Sequence, residues 1–96
     1  MLHIVTQSPW QGSALQQCSA LLTRDDVLLL TQDGVYAAIA DQALHLDLLD
    51  LCHHCYAREA DVLARGLRDK IAPQIAVIDD EQWVQLTEIH TPVITW

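Results

Sequence analysis

Short apolar runs and helix-spaced apolar stripes alternate along the whole chain, with turn residues between them. Residues 2–5 predict a short strand. Residues 26–31 are rich in leucine and lack polar alternation, which is typical of a strand covered on both faces. Between these two segments, Ser13 and Gln16 have the spacing of a capping box and predict the start of a helix. Alternation of strands and helices predicts a parallel sheet with helices on both faces.

The middle of the chain continues this alternation. Asp33 is expected to cap a short helix over residues 35–39. Residues 44–51 fit both a strand and a helix, and we favour the helix. Residues 53–57 predict the third strand. A helix over residues 59–65 follows, with Gly66 as the left-handed residue after its end.

The last third of the chain predicts two more strands. Residues 75–78 are interpreted as a fourth, buried strand, and residues 93–96 as a fifth. Between them Asp79 or Asp80 is expected to cap a helix that carries Trp83, Leu86 and His90. The sequence therefore predicts an α/β fold: a single three-layer α/β/α domain over residues 1–96, with a mostly parallel sheet of about five strands.

The charge of the chain restricts its partners. Thirteen acidic residues against five basic ones give a net charge of −8. A nucleic-acid backbone would be repelled over most of such a surface, so we expect no direct contact with nucleic acid. The apolar fraction is 51% and the mean hydropathy +0.15, which is more apolar material than one small core needs.

The sequence also favours a reducing, cytoplasmic location. No apolar run approaches the roughly 20 residues of a membrane span, and the first residues do not resemble a secretion signal. The three cysteines are an odd number without the spacing of a disulfide framework. We expect no contact with a membrane.

Cys52, His53, His54 and Cys55 could form a redox dithiol or part of a zinc site. Cys55 falls inside a predicted strand, so the two thiols would point to opposite faces, and no second ligand pair has matching spacing. We expect a core role for Cys55 and a surface role for the histidines, and no bound metal.

Cys18 lies on the apolar stripe of the first predicted helix, and the residues alone leave open a core position or a reactive thiol. The loops expected at the carboxyl ends of the strands contain neither a phosphate cradle nor an evident catalytic relay. We therefore expect no nucleotide or other cofactor. Asp33 and Asp79, in two of these loops, are interpreted as helix caps.

Short motifs are distributed over the whole chain. They are Leu2-His3, Ser8-Pro9, Leu28-Leu29-Leu30, Gln32-Asp33-Gly34-Val35, Ala37-Ala38, Tyr56-Ala57, Asp61, Leu63-Ala64-Arg65-Gly66-Leu67, Ile78-Asp79, Val84, Leu86-Thr87 and Trp96. Taken together, these motifs resemble the TusB/DsrH family of sulfur-relay proteins. The resemblance implies a three-layer α/β subunit that assembles with TusC/DsrF-like and TusD/DsrE-like paralogues into a dimer of heterotrimers. It also implies transfer of persulfide sulfur to a TusE/DsrC-type carrier.

The resemblance leaves the role of this subunit open. In the family the principal sulfur-bearing cysteine belongs to the TusD/DsrE paralogue, whereas Cys18 matches a first-helix cysteine of DsrH-like members. The leading hypothesis is a structural or auxiliary subunit for 2-thiolation of the tRNA wobble uridine. The alternatives are a persulfide on Cys18, a role in dissimilatory sulfur oxidation, and a homo-oligomeric acidic adaptor without sulfur chemistry.

Overall fold

Parallel strands at the centre of the molecule form one sheet. The structure, a computed structural model, describes residues 1–40 and 54–96, so the helix predicted over residues 44–51 lies outside the described residues. The described strands are β1 (Leu2–Val5), β2 (Val27–Leu30), β3 (His54–Arg58), β4 (Ala76–Ile78) and β5 (Val93–Thr95). Their order is β4-β3-β2-β1-β5, and every neighbouring pair is parallel.

Helices cover both faces of this sheet. The described α-helices are α1 (Ala14–Ser19), α2 (Glu59–Ala64) and α3 (Asp80–Ile89), and two 3₁₀ helices span Gln32–Ala38 and Arg68–Lys70. Side chains of α1, the first 3₁₀ helix and α2 belong to the larger core cluster on one face, and α3 packs against the smaller cluster on the other. The predicted three-layer α/β fold with about five strands is confirmed.

The direction of the chain across the sheet reverses once. From β1 to β4 each strand is added on the same side, and β5 then returns to the free side of β1. The reversal places a topological switch point between β1 and β5, which is where ligand crevices form in open α/β sheets. Trp96 lies at this point, because its backbone N–H donates to the carbonyl of Ile4.

The two central strands carry the core. All four residues of β2 are buried, as the prediction of a strand covered on both faces requires. Leu28 and Leu30 belong to the larger cluster, whereas Val27 and Leu29 belong to the smaller one. This division follows from the two-residue period of a strand, which turns successive side chains to opposite faces.

The prediction that the whole fourth strand segment is buried is wrong in part. Of residues 75–78, Ile75 and Ile78 are buried, whereas Ala76 and Val77 are exposed. The reason is topological: β4 stands at one end of the described strand order, so it has a strand on one side only. Local sequence carries no information on whether a strand is central or at an edge.

The capping box expected at the start of α1 is also wrong. Ser13 is the N-cap residue, but its φ of −101° and ψ of 11° are not the extended geometry that aims a cap hydroxyl at the helix, and its side chain makes no cap hydrogen bond. Its Oγ accepts instead from Nε2 of Gln17, at 3.0 Å. The helix is short and ends at Ser19.

The end of α2 follows the sequence prediction closely. Gly66 has a φ of +66°. Its backbone N–H donates to Leu63 O at 3.1 Å, and that of Leu67 donates to Val62 O at 3.0 Å. These two bonds define a Schellman motif, and Val62 and Leu67 are both buried in the larger core cluster.

Helix α3 begins at the predicted acidic cap. The carboxylate of Asp79 accepts from the backbone N–H of Gln82 at 2.8 Å, and the side chain of Gln82 accepts from the backbone N–H of Asp79 at 3.0 Å. No residue of α3 is fully buried, although Trp83 and Leu86 pack against the smaller cluster as expected. This face of the sheet is therefore the more loosely covered of the two within the described ranges.

Candidate functional site

The carboxyl edge of the sheet is held together by charged side chains from several loops. Asp33 accepts from Nε2 of Gln11 at 2.9 Å and from Nε of Arg65 at 2.9 Å. The interpretation of Asp33 as a helix cap is wrong, because the first 3₁₀ helix begins after Thr31 and has no side-chain cap. Asp33 joins the β1 loop to α2 instead.

Further ion pairs connect Arg65 to α3. Arg65 lies 3.5 Å from a carboxylate oxygen of Asp61, and Arg58 lies 3.4 Å from the other oxygen of the same group. Nε of Arg58 in turn donates to Asp80 at 2.9 Å, and its guanidinium stacks over the ring of Trp83, 5.5 Å from the ring centroid. The result is a chain of ion pairs from the first 3₁₀ helix to α3.

This pairing fixes the protonation states at the edge. The hydrogen bond from Arg65, with that from Gln11, lowers the pKa of Asp33 below 3.8. The hydrogen bond to Asp80 raises the pKa of Arg58 above its ordinary value, with burial opposing and Asp61 adding to the rise. Asp33 and Arg58 therefore remain charged near neutral pH, which suits a scaffold and not a proton-transfer site.

The backbone at this edge is unusually constrained. Gln32, two residues after the end of β2, has a φ of +50°, a left-handed conformation that costs energy for a residue with a Cβ. Two residues later, a Cβ on Gly34 would overlap the carbonyl oxygen of Val5. The turn after β2 therefore lies against the end of β1, which brings the two loops together.

A cleft opens between these loops. Ser8, Trp10, Gln11, Asp33 and Tyr36 line a volume of about 290 Å³. Trp10 is 64% exposed, and its ring meets that of Tyr36 edge to face with centroids 6.5 Å apart. The loop after β1 was among those expected at the functional edge, and its aromatic side chain is available to a partner.

A second polar group, which the sequence reasoning missed, lies around His3. His3 is completely buried in β1. The indole N–H of Trp96 donates to its Nδ1 at 3.1 Å, and its Nε2 lies 3.2 Å from Asp26. Because an indole can only donate, Nδ1 is the acceptor, and the proton of the neutral ring sits on Nε2 and is donated to Asp26.

Asp26 collects several donors at this point. Burial by itself would raise the pKa of Asp26, but hydrogen bonds from the backbone N–H of Thr23, from His3 and from the amino group of Met1 outweigh it, and the pKa falls below 3.8. The sequence feature that could have revealed this cluster is His3 itself, a polar residue within an otherwise apolar strand whose residues are all buried.

Both cysteines within the described residues are buried. Cys18, the sequence-predicted site residue, is 0% exposed within the larger core cluster. Cys55 is buried in β3, as expected, and His54 beside it is exposed. Cys52 and His53 lie outside the described residues. Among residues 1–40 and 54–96, no three potential ligand side chains converge on a metal site.

Within these same ranges, the structure contains no helix with the length and apolar character needed to cross a membrane.

Comparison with known proteins gives end-to-end matches. The family described as DsrH like protein matches residues 7–93. The chain is similar to Protein TusB of Escherichia fergusonii, 39% identical over 98 residues, and to Protein TusB of Pectobacterium carotovorum, 36% identical over 96 residues. Protein TusB of Buchnera aphidicola is 32% identical over 96 residues. Each of these matches covers 100% of both chains.

Proposed function

Because this chain belongs to the DsrH/TusB family of sulfur-relay proteins, we propose that it is a subunit of a cytoplasmic sulfurtransferase complex. The complex passes persulfide sulfur to a TusE/DsrC-type carrier, for 2-thiolation of the tRNA wobble uridine. The single observation that carries this proposal is the full-length similarity to several proteins named TusB. Those names favour tRNA thiolation over dissimilatory sulfur oxidation.

Within that complex we assign the chain a structural or auxiliary role. A persulfide carrier must bring its sulfur atom to a donor and then to an acceptor, which needs an accessible thiol. The complete burial of Cys18 and the burial of Cys55 support a subunit whose own chemistry is secondary. The sulfur-bearing cysteine then belongs to the TusD/DsrE-like paralogue.

Exposed apolar side chains support assembly with TusC/DsrF-like and TusD/DsrE-like paralogues in a dimer of heterotrimers. Among the residues that the structure describes, the large apolar ones that are at least half exposed are Trp10, Leu21, Leu63 and Ile89. Such residues are typical anchors of protein interfaces, Trp above all. The net charge of −8 supports a subunit that contacts protein carriers and leaves the tRNA to others.

Two measurements test this function. Tagged chain purified from its native cell should bring down two small paralogous α/β subunits. Deletion of its gene should remove 2-thiouridine from tRNA digests analysed by mass spectrometry, and the intact gene should restore it. A deletion strain with normal 2-thiouridine would overturn the tRNA branch, and purification without paralogues would overturn the assembly.

The position of Cys18 on the first helix supports a second candidate function, a persulfide on this residue. In that step the Cys18 thiolate attacks the terminal sulfur of a donor persulfide, the donor leaves as a thiolate, and Cys18 becomes the persulfide. Incubation with the donor should add about 32 Da, the mass of one sulfur atom. A Cys18→Ser protein that gains the same mass would exclude Cys18 as the acceptor.

A further inference from the structure

The cleft between the loops after β1 and β2 combines exposed aromatic rings with a negative charge. We call its five lining residues, Ser8, Trp10, Gln11, Asp33 and Tyr36, the Trp10 cleft. Its volume of about 290 Å³ lies just below the roughly 300–1,000 Å³ of sites that bind small molecules. A cleft of this size suits a single side chain of a partner better than a cofactor.

Two aromatic rings form a corner in the Trp10 cleft. The ring planes of Trp10 and Tyr36 meet at 66°, with their centroids 6.5 Å apart. Trp10 is 64% exposed, so most of its ring is open to a ligand. The face of an aromatic ring is negative and attracts cations, most strongly in tryptophan. Such a corner is therefore suited to a cationic side chain.

Asp33 supplies the charge among the described lining residues, and one of its oxygens can accept a further donor. A carboxylate offers about four acceptor positions on its two oxygens. Arg65 contacts Oδ1 through Nε at 2.9 Å and through a terminal nitrogen at 2.8 Å. In the part of the chain that the structure describes, Oδ2 accepts from Gln11 alone, at 2.9 Å. The side chain of Asp33 is 38% exposed, so Oδ2 can meet a donor from a partner.

The Trp10 cleft is held in shape by contacts within the chain. The backbone N–H of Ser8 donates to Oε1 of Gln11 at 2.9 Å, and Nε2 of Gln11 donates to Asp33. The turn after β2 lies against the end of β1, where Gly34 approaches the carbonyl oxygen of Val5. Because both loops are already fixed, a ligand needs to order little of the chain when it binds.

The net charge of −8 also favours a cationic partner. Arginine fits better than lysine, because its planar guanidinium stacks on an aromatic ring and presents fixed donors to a carboxylate. We propose that the Trp10 cleft binds an arginine side chain of a basic protein partner, with the guanidinium on the ring of Trp10 and an N–H donated to Oδ2 of Asp33. This contact goes beyond the proposed function, since it names the chemistry of the bound group and needs no sulfur transfer.

Titration with an arginine peptide tests the proposal on the purified full chain. The probe is the capped tripeptide Gly-Arg-Gly, and nuclear magnetic resonance follows the indole N–H signals of the three tryptophans. We expect the signal of Trp10 to shift, while those of Trp83 and Trp96 stay in place. The same tripeptide with citrulline, a neutral residue of similar shape, should bind about fivefold or more weakly. The lysine tripeptide should also bind more weakly than the arginine one.

Variants separate contact with the ligand from support of the cleft. Trp10→Ala and Asp33→Asn should each weaken binding of the arginine tripeptide by about fivefold or more. Val84→Ala shortens an exposed apolar side chain on α3 and should leave binding unchanged. Arg65→Gln breaks the Arg65–Asp33 pair from its other side, so the arginine tripeptide should bind it as well as the original chain or more tightly. Equal losses in Asp33→Asn and Arg65→Gln would overturn the contact assigned to Asp33.

Other outcomes would overturn the proposal as a whole. They are a Trp10 signal that the arginine tripeptide does not shift, and citrulline or lysine tripeptides that bind as tightly as the arginine one. A Trp10 signal that shifts with the concentration of the chain alone also overturns it, because the cleft then holds a second copy. Co-purification with paralogues and the 2-thiouridine content of tRNA are measured independently, so failure of this contact leaves the proposed function intact.

Discussion

His3 shows how much one residue can organise in a chain of this size. Its ring joins β1, the loop before β2 and the end of the chain, through Asp26 and Trp96. Trp96 also stacks on the ring, with centroids 6.2 Å apart. Nδ1 of His3 accepts from the indole and Nε2 faces Asp26, so both ring nitrogens are used within the cluster.

Asp26 predicts a loss of stability in acid. The pKa of Asp26 is lower in the folded chain than its ordinary value of 3.8. The charged Asp26 side chain therefore contributes fully to the free energy of unfolding above pH 3.8. This contribution is lost as the pH falls below 3.8 and through the folded pKa. Urea unfolding between pH 7 and pH 2 should show this decline. Asp26→Asn should be less stable at pH 7 and decline less in acid. Asp25→Asn, the same change at the exposed neighbour, should follow the original chain, and an equally steep decline in Asp26→Asn would contradict the assignment.

We expect even the smallest substitution at Gly34 to destabilise the fold strongly. In Gly34→Ala the new Cβ would overlap the backbone oxygen of Val5, which cannot move without disturbing the β1–β2 pair. We expect a loss of about 2 kcal/mol or more in the free energy of unfolding. Gly12→Ala is the control, because its Cβ would meet only the flexible end of Gln7. Equal losses in the two variants, measured by urea unfolding, would show that close approach is not the cause.

At the scale of elements, the ends of helices differ in how far sequence predicts them. Gly66 after α2 and the Asp79 cap of α3 act within their own segments, and both predictions are confirmed. The cap prediction for Ser13 is wrong because the backbone of this residue is not in cap geometry. The cap prediction for Asp33 is wrong because Arg65, 32 positions away, binds its carboxylate. A local motif therefore fails when the backbone departs from the required geometry or when a distant side chain binds the same group.

Gly66 provides a test of pure backbone conformation. A Cβ at this position would meet nothing within 4 Å, so Gly66→Ala adds no contact and only forces alanine into the left-handed region. We expect a loss of about 1 kcal/mol in the free energy of unfolding, and a smaller one for Gly66→Asn, which tolerates that region better. Unfolding curves in denaturant compare the three chains. A Gly66→Ala chain as stable as the original would contradict the Schellman assignment.

At the scale of the whole molecule, local patterns predicted the layers but not their order. The alternation of strand and helix segments predicted a parallel sheet, and the apolar run of β2 predicted a strand covered on both faces. The exposed position of β4 could not be predicted, because it depends on β5 crossing to the far side of β1. The same holds for the candidate site: its loops were predicted, but the meeting of Asp33 with Arg65 arises only when the strands are ordered.

The unequal covering of the two faces predicts unequal protection from hydrogen exchange. Helix α3 has no fully buried residue, whereas β1 and β2 are buried throughout. The amides of α3 should therefore exchange faster than those of β2, through local opening of lower free energy. Asp79→Ala should speed exchange in α3 by removing a cap worth about 1 kcal/mol, and should leave β2 unchanged. Protection of α3 equal to that of β2, measured by mass spectrometry, would contradict this view of the fold.

The position of β1 between β2 and β5 has a consequence for synthesis on the ribosome. One partner of β1 follows within the first third of the chain, but the contacts on its other side include a pair of residues 93 positions apart. A growing chain therefore carries an unpaired edge of β1 until β5 has been made. Contacts of such long range form slowly and leave a nascent chain prone to misassociation. The interval before β5 emerges is the period in which this protein most needs a chaperone or an early partner.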